Sequence, residues 1–292
     1  MRRLQCLLLA AVAAIGFASV ASAADLPVKA RPAPVTAYSW GGCYVGANGG
    51  WIGGLGTSDL APSGNYLNAT GVAAPPNAAG TGDYAVNIAA LSHSYSPRGS
   101  GGVLGGQIGC NWQSGAFVYG GELDGQWSSL ADTADASFAA FADVGNPTFT
   151  NAAHSEHVSN KLNWFSTLRA RAGYAWDRWL IYATGGLALG GVKSETNVSF
   201  ATLGGLSVYS GAVHSGSETF TRVGWTIGAG AEYAFSGPWS LKAEYLYINL
   251  GTHSYNSPLV ASAATAAPGY SWSTTVRERA QVVRVGLNYK FH

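Results

Sequence analysis

The sequence predicts an all-β fold, an eight-stranded antiparallel up-and-down transmembrane β-barrel with four long extracellular loops. Three observations carry this. Apolar and polar residues alternate with period two from Trp40 to the C-terminus. Very short and long connections between the alternating segments succeed one another strictly. An export signal precedes a chain poor in charge: charged residues are 11% of the total, against about 25% for a soluble domain.

The first element is the signal. Met1-Arg2-Arg3 is followed by an apolar run from Leu7 to Phe17 and by Ala21-Ser22-Ala23. A charged start, an apolar middle and an A-x-A site define a secretory signal peptide over 1–23. A membrane-spanning helix needs about 20 apolar residues, and the run is shorter. Cys6 precedes the apolar run, so lipidation there is not expected. Residues 24–39, with Pro27, Pro32 and Pro34, lack periodicity and are expected to form a short periplasmic linker ahead of a barrel over 40–292.

Eight strands are predicted at 42–56, 99–112, 117–127, 161–176, 179–194, 220–235, 239–250 and 274–291. Turns at 113–116, 177–178 and 236–238 are tight. The segments 57–98, 128–160, 195–219 and 251–273 are long, polar and rich in Ala, Ser, Gly, Thr and Asn. Outer-membrane barrels sort their connections this way, with tight periplasmic turns and long outer loops.

Each strand has two faces. In the third, Phe117, Tyr119, Leu123 and Trp127 oppose Glu122, Asp124 and Gln126. In the fourth, Leu162, Trp164, Leu168 and Tyr174 oppose Asn163, Thr167, Arg169 and Arg171. The fifth sets Ile181, Leu187 and Leu189 against Tyr182 and Thr184, and the sixth sets Val223, Trp225, Ile227 and Tyr233 against Arg222, Thr226 and Glu232. The last two oppose Leu241, Tyr245 and Tyr247 to Lys242 and Glu244, and Val283, Val285, Leu287, Tyr289 and Phe291 to Arg284 and Asn288.

Alternation alone does not say which face is inside, because soluble and membrane barrels both alternate. Aromatic residues decide it. Trp112, Phe117, Tyr174, Trp176, Trp179, Tyr233, Phe235, Trp239, Tyr289 and Phe291 crowd the strand ends beside the short turns, where an interfacial girdle belongs. With the export signal this places the apolar face against lipid, in the outer membrane of a bacterium.

The lumen then receives Glu122, Asp124, Glu232 and Glu244 together with Arg169, Arg171, Lys242 and Arg284. Eight strands leave an interior just wide enough for side chains to fill. Charges confined there lose hydration and persist only when paired and hydrogen-bonded. A closed salt-bridge network that plugs the lumen is therefore the expectation, in preference to the selectivity filter of a conducting pore.

Cys43 and Cys110 share the parity of the outward face near the same end of adjacent antiparallel strands. Opposed Cα atoms there lie within disulfide reach, so a Cys43–Cys110 bond is expected. Glycines crowd the first two strands, at 46, 49, 50, 53 and 54 and at 101, 102, 105, 106 and 109. They permit curvature and make room for bulky inward Arg and Tyr side chains.

Five histidines, His93, His154, His157, His214 and His253, fall in the expected long loops. Imidazole ligates iron and other transition metals, so His154 and His157, close in sequence, are the candidate pair for hemin or metal capture. The bland alternative is that polar loops carry polar residues. No G-x-S-x-G, H-E-x-x-H, Walker-type loop or G-x-G-x-x-G occurs, and no enzyme is expected. Net charge is +1 with no basic stripe, which argues against nucleic acid as a partner.

Seven segments resemble the small outer-membrane surface-antigen family of alphaproteobacteria, within the OmpA-like transmembrane barrel superfamily. They are 24–27 (ADLP), 42–50 (GCYVGANGG), 120–125 (GGELDG), 168–175 (LRARAGYA), 181–188 (IYATGGLA), 239–247 (WSLKAEYLY) and 285–291 (VGLNYKF). The likeness covers nearly all the strands and none of the long loops. It implies an immunogenic surface barrel of a family in which some members are described as porin-like and some as hemin-binding. It also implies a terminal aromatic signal, Tyr289 and Phe291, read by the outer-membrane assembly machinery; here His292 follows, a departure from the usual aromatic ending. The expected role is a structural surface protein that supports the envelope and presents antigenic loops. The alternatives are a small diffusion pore, a hemin-capturing surface protein, or a soluble periplasmic barrel extractable without detergent.

Overall fold

A computed structural model of the chain describes residues 38–63, 66–67, 73–74, 91–142, 150–151, 153–202, 211–261 and 271–291. The expected signal peptide, nearly all of the expected linker, and His292 lie outside the described residues. The strands are β1 (Gly42–Gly54), β2 (Thr57–Ser63), β3 (Tyr66–Leu67), β4 (Ala73–Ala74), β5 (His93–Tyr95), β6 (Ser100–Ser114) and β7 (Phe117–Phe138). They continue as β8 (Phe141–Ala142), β9 (Thr150–Asn151), β10 (His154–Trp176), β11 (Trp179–Phe200), β12 (Val213–Ser236), β13 (Trp239–Ala261) and β14 (Ser271–Lys290).

Eight of these close a ring. Each neighbour is antiparallel to the next in the order β1, β6, β7, β10, β11, β12, β13, β14, and β14 returns to β1 with Tyr44 opposite Lys290 and Gly54 opposite Ala280. Closure leaves no unpaired sheet edge to face lipid. The hairpins at the short-turn end are two residues long, and Gly115, Asp177 and Gly237 take positive φ there, as such turns demand.

The faces sort as lipid requires. Trp112, Phe117, Tyr174, Trp176, Trp179 and Phe235 are exposed on the outside at the short-turn end, and Trp51, Trp127, Trp164 and Trp225 form a second outward row further up. Between them lie exposed Ile108, Leu123, Leu168, Ile181, Leu187, Ile227, Val285 and Leu287. From Phe117 to Trp127, ten residues of about 3.4 Å each at a tilt near 40° rise about 26 Å, the height of an outer-membrane apolar band.

The strands do not stop at that band. Residues expected to be loop form strand at 57–63, 93–95, 128–138, 154–160, 195–200, 213–219, 251–261 and 271–273. Above the upper tryptophans the outward face turns polar, as in Ser155, His157 and Lys161, while the inward face keeps alternating. A barrel wall standing in water loses its apolar exterior but keeps its period, and this is why the sequence there reads as loop. The wall also changes staves: β1 ends at Gly54, and β2 takes its place beside β14, with β5 paired to β2.

Two face assignments on β10 are corrected: Asn163, expected inside with Thr167, is exposed. Leu162, expected outside with Trp164, is buried in the lumen. A bulge between Leu162 and Trp164 shifts the register of β10 against both β7 and β11 and reverses the parity beyond it.

The lumen is filled in layers. At the short-turn end Trp40 packs with Val118, Leu180, Tyr182 and Ala234. The charged residues come next. An apolar layer of Ile52, Val103, Leu130, Leu162, Phe165, Val192, Leu246, Ile248 and Val282 lies above them. Beyond the upper tryptophans a polar layer precedes a last apolar cluster of Leu60, Leu91, Val158, Val198, Phe200 and Trp272.

Candidate functional site

All eight charged residues expected in the lumen are buried there. Alternation on β7, β10, β12, β13 and β14 aims them inward, and the ring brings strands far apart in sequence face to face. Glu122 is the hub. It accepts from Lys242 Nζ at 2.9 and 3.0 Å, from the Tyr44 hydroxyl at 2.6 Å, and from Arg169 and Arg171. Arg169 also reaches Asp124 at 2.8 Å and Glu244 at 2.9 Å, spanning three carboxylates with its planar fork. Arg284 donates to Asp124 at 2.8 Å and to Glu244 at 2.6 Å. Arg171 meets Glu232 at 3.0 Å and lies over the Tyr182 ring, 3.9 Å from its centroid.

Neutral donors complete the shell. The Tyr182 hydroxyl donates to Glu244 at 2.9 Å, Ser240 and Asn288 donate to Glu232, and Thr167 donates to Asp124. Glycine makes room for two of these contacts. A Cβ at Gly109 would sit 2.5 Å from the Tyr44 hydroxyl, and one at Gly230 would sit 2.5 Å from that of Tyr182. The tyrosines lie flat over bare backbone, which leaves their hydroxyls level with the carboxylates.

Cys43 and Cys110 are paired in register across β1 and β6, with Cα atoms 4.0 Å apart and a disulfide between them on the outer face. Tyr289 and Phe291 point outward at the short-turn end, their rings 5.6 Å apart.

His154 and His157 are not brought together. Three residues apart on a strand, they take opposite faces: His154 is buried inside, and His157 lies outside with its ring against Asp135 at 2.6 Å. His154 instead meets Glu156 and His93, neither of which the sequence reading selected. The signal was there: His154 and Glu156 are two apart and share a face once β10 is carried down to residue 154.

A second buried acid pair lies above the membrane band. Burial and the neighbouring Asp132 carboxylate push Glu278 up to about 7, and burial likewise raises Asp132, which accepts from the Gly99 amide at 2.6 Å. The folded-state value of Glu278 exceeds that of the unfolded chain. Its neutral form therefore favours folding at acid pH, and that contribution is lost as pH rises from about 4.5 to about 7. Glu278→Gln should remove this dependence and raise stability at pH 8 by on the order of 2 kcal/mol. Urea unfolding in detergent at pH 5 and pH 8 checks it; equal midpoint shifts at both values would refute it.

The family model for the outer membrane protein beta-barrel domain matches residues 10–291. The chain belongs to that outer-membrane β-barrel family. The 31 kDa outer-membrane immunogenic protein of Brucella melitensis biotype 1 is 34% identical, over 97% of this chain and 98% of its own length. The 25 kDa outer-membrane immunogenic protein of Brucella abortus biovar 1 is 25% identical over the whole of both chains. The 22 kDa outer membrane protein of Rhizobium leguminosarum bv. viciae is 28% identical over 64% of this chain and 66% of its own. Among solved structures, the outer membrane protease OmpT of Escherichia coli is similar at 10% identity with a TM-score of 0.39, covering 86% of this chain and 97% of that one. This barrel is an outer-membrane protein of a bacterium, and its Brucella relatives are named as immunogenic.

Proposed function

We propose that this member of the family is a closed, non-catalytic structural barrel that reinforces the outer membrane and carries its outer loops to the cell surface as antigens. The observation that carries the reading is the layered filling of the lumen. Four acids and four bases interlock across the bore, with an aromatic layer below and an apolar layer above. Ions crossing this section would have to break bonds between charges that have little water to replace them. The strand extension beyond the membrane band supports the second half of the reading, since it lifts the loops clear of the lipid surface.

Planar-bilayer recording tests it. Refolded protein, with folding verified by a heat-shifted gel band, should insert without giving stable conductance steps. Reproducible steps that scale with the amount of folded protein would overturn the closed reading and favour a pore.

A further inference from the structure

We propose that His93, His154 and Glu156 form a binding site for a divalent late first-row transition ion, of which Zn²⁺ is the probe, at the outer end of the lumen. Three observations support this, and none depends on whether the barrel conducts.

The first is geometry. One ligand atom from each residue falls within 4.8 Å of the other two. Glu156 Oε1 lies between the imidazoles, 2.9 Å from His93 Nδ1 and 3.3 Å from His154 Nε2. Bonds of about 2.0–2.2 Å to two nitrogens and one carboxylate oxygen need only a small closure of that triangle. Two histidines and one carboxylate make a donor set with coordination positions left for water.

The second is that the site is poorly satisfied without an ion. His154 is 4% exposed, yet its Nδ1 meets no hydrogen-bond partner among the described residues, and Nε2 stands outside hydrogen-bond geometry toward Glu156. A buried imidazole left this way is costly unless something completes it. Because neither nitrogen is committed, His154 can hold its proton on Nδ1 and turn a lone pair from Nε2 toward the cation.

The third is support around the ligands. Tyr95 donates to Glu156 Oε2 at 2.6 Å, which holds the carboxylate and leaves Oε1 toward the two rings. Phe138 stacks on His93 at 3.8 Å and on His154 at 4.8 Å, and Phe200 stacks on His154 at 4.9 Å. The His93 side chain is 21% exposed, which provides a path of entry.

The consequence is mechanical. Among the described residues β5 pairs only with β2, over three residues. An ion held jointly by His93 on β5 and by His154 and Glu156 on β10 would clasp β5 to β10.

Full-length refolded protein in detergent, titrated with Zn²⁺ against a chromophoric chelator, should take up one equivalent per chain. Glu156→Gln and His93→Phe should each weaken binding by more than about tenfold, and His157→Ala should leave it unchanged. Heat-shifted bands report folding of every variant. Tyr95→Phe, which removes only the positioning hydroxyl, gives a milder version of the test, with a few-fold weaker affinity. No uptake by the wild type, uptake unaltered in Glu156→Gln, or loss in His157→Ala would each overturn the site.

Discussion

Glu122→Gln is expected to destabilise the barrel by about 3–5 kcal/mol, the cost of leaving a buried charge without its partner. Glu122 neutralises Lys242, which is fully buried in the lumen and meets both Glu122 oxygens. Its other neighbours have alternatives: Arg169 retains Asp124 and Glu244, and Arg171 retains Glu232. Among the described acids Lys242 retains only Glu244, at 3.9 Å. Lys242→Met should therefore rescue Glu122→Gln in large part, with a coupling of about 1–3 kcal/mol. Urea unfolding in detergent, followed by the heat-shifted band and by tryptophan fluorescence, measures all four corners of the cycle. A single variant within about 0.5 kcal/mol of wild type would mean that water reaches the hub, and the closed lumen would fall with it.

Removal of the Cys43–Cys110 bond, as the Cys43→Ala/Cys110→Ala double variant, should cost about 4 kcal/mol. The bond closes a loop across a sequence separation of 67, and the chain-entropy argument for a loop of that length gives roughly this value. The two residues face outward and touch none of the lumen charges, so the lost stability should appear without any change in the charge network. β1 makes the effect matter. It is glycine-rich, spans 13 residues, and alone joins β6 to β14 to close the ring. The reduced wild type should unfold at the same urea concentration as the double variant. Identical midpoints for oxidised and reduced protein would show that β1 is held by its ladder alone.

These predictions differ in how far the sequence could have led to them. The inward direction of Glu122, Arg169, Lys242 and Arg284 was legible, because parity along a strand is a local property. That Glu122 bonds Lys242, 120 residues away, was not legible. It depends on which strands face each other across the bore and on their tilt and stagger, which only closure sets. The disulfide was readable for the opposite reason: its cysteines sit on consecutive long strands whose register follows from one pair of neighbours.

The histidines show where the local pattern stops being informative. His154 and His157 are near in sequence, but β10 runs down to residue 154 and its alternation sets them on opposite faces. Polar residues outside the membrane band hid the strand, although His154, Glu156, Val158 and Asn160 keep to the inward face. His93 could not have been placed beside them from sequence, because β5 reaches β10 only through the folded wall.

By itself the sequence determined the strands, their two faces, the lipid-facing side and the compartment. Period-two alternation and the lengths of neighbouring connections are short-range quantities, written directly in the order of residues. Tertiary structure decided where the strands end above the membrane, the bulge that turns Leu162 inward, the hub at Glu122, and the meeting of His93 with His154 and Glu156. Each of these depends on closing a twisted, tilted sheet into a ring. Closure juxtaposes side chains by shear and stagger, which no local pattern encodes.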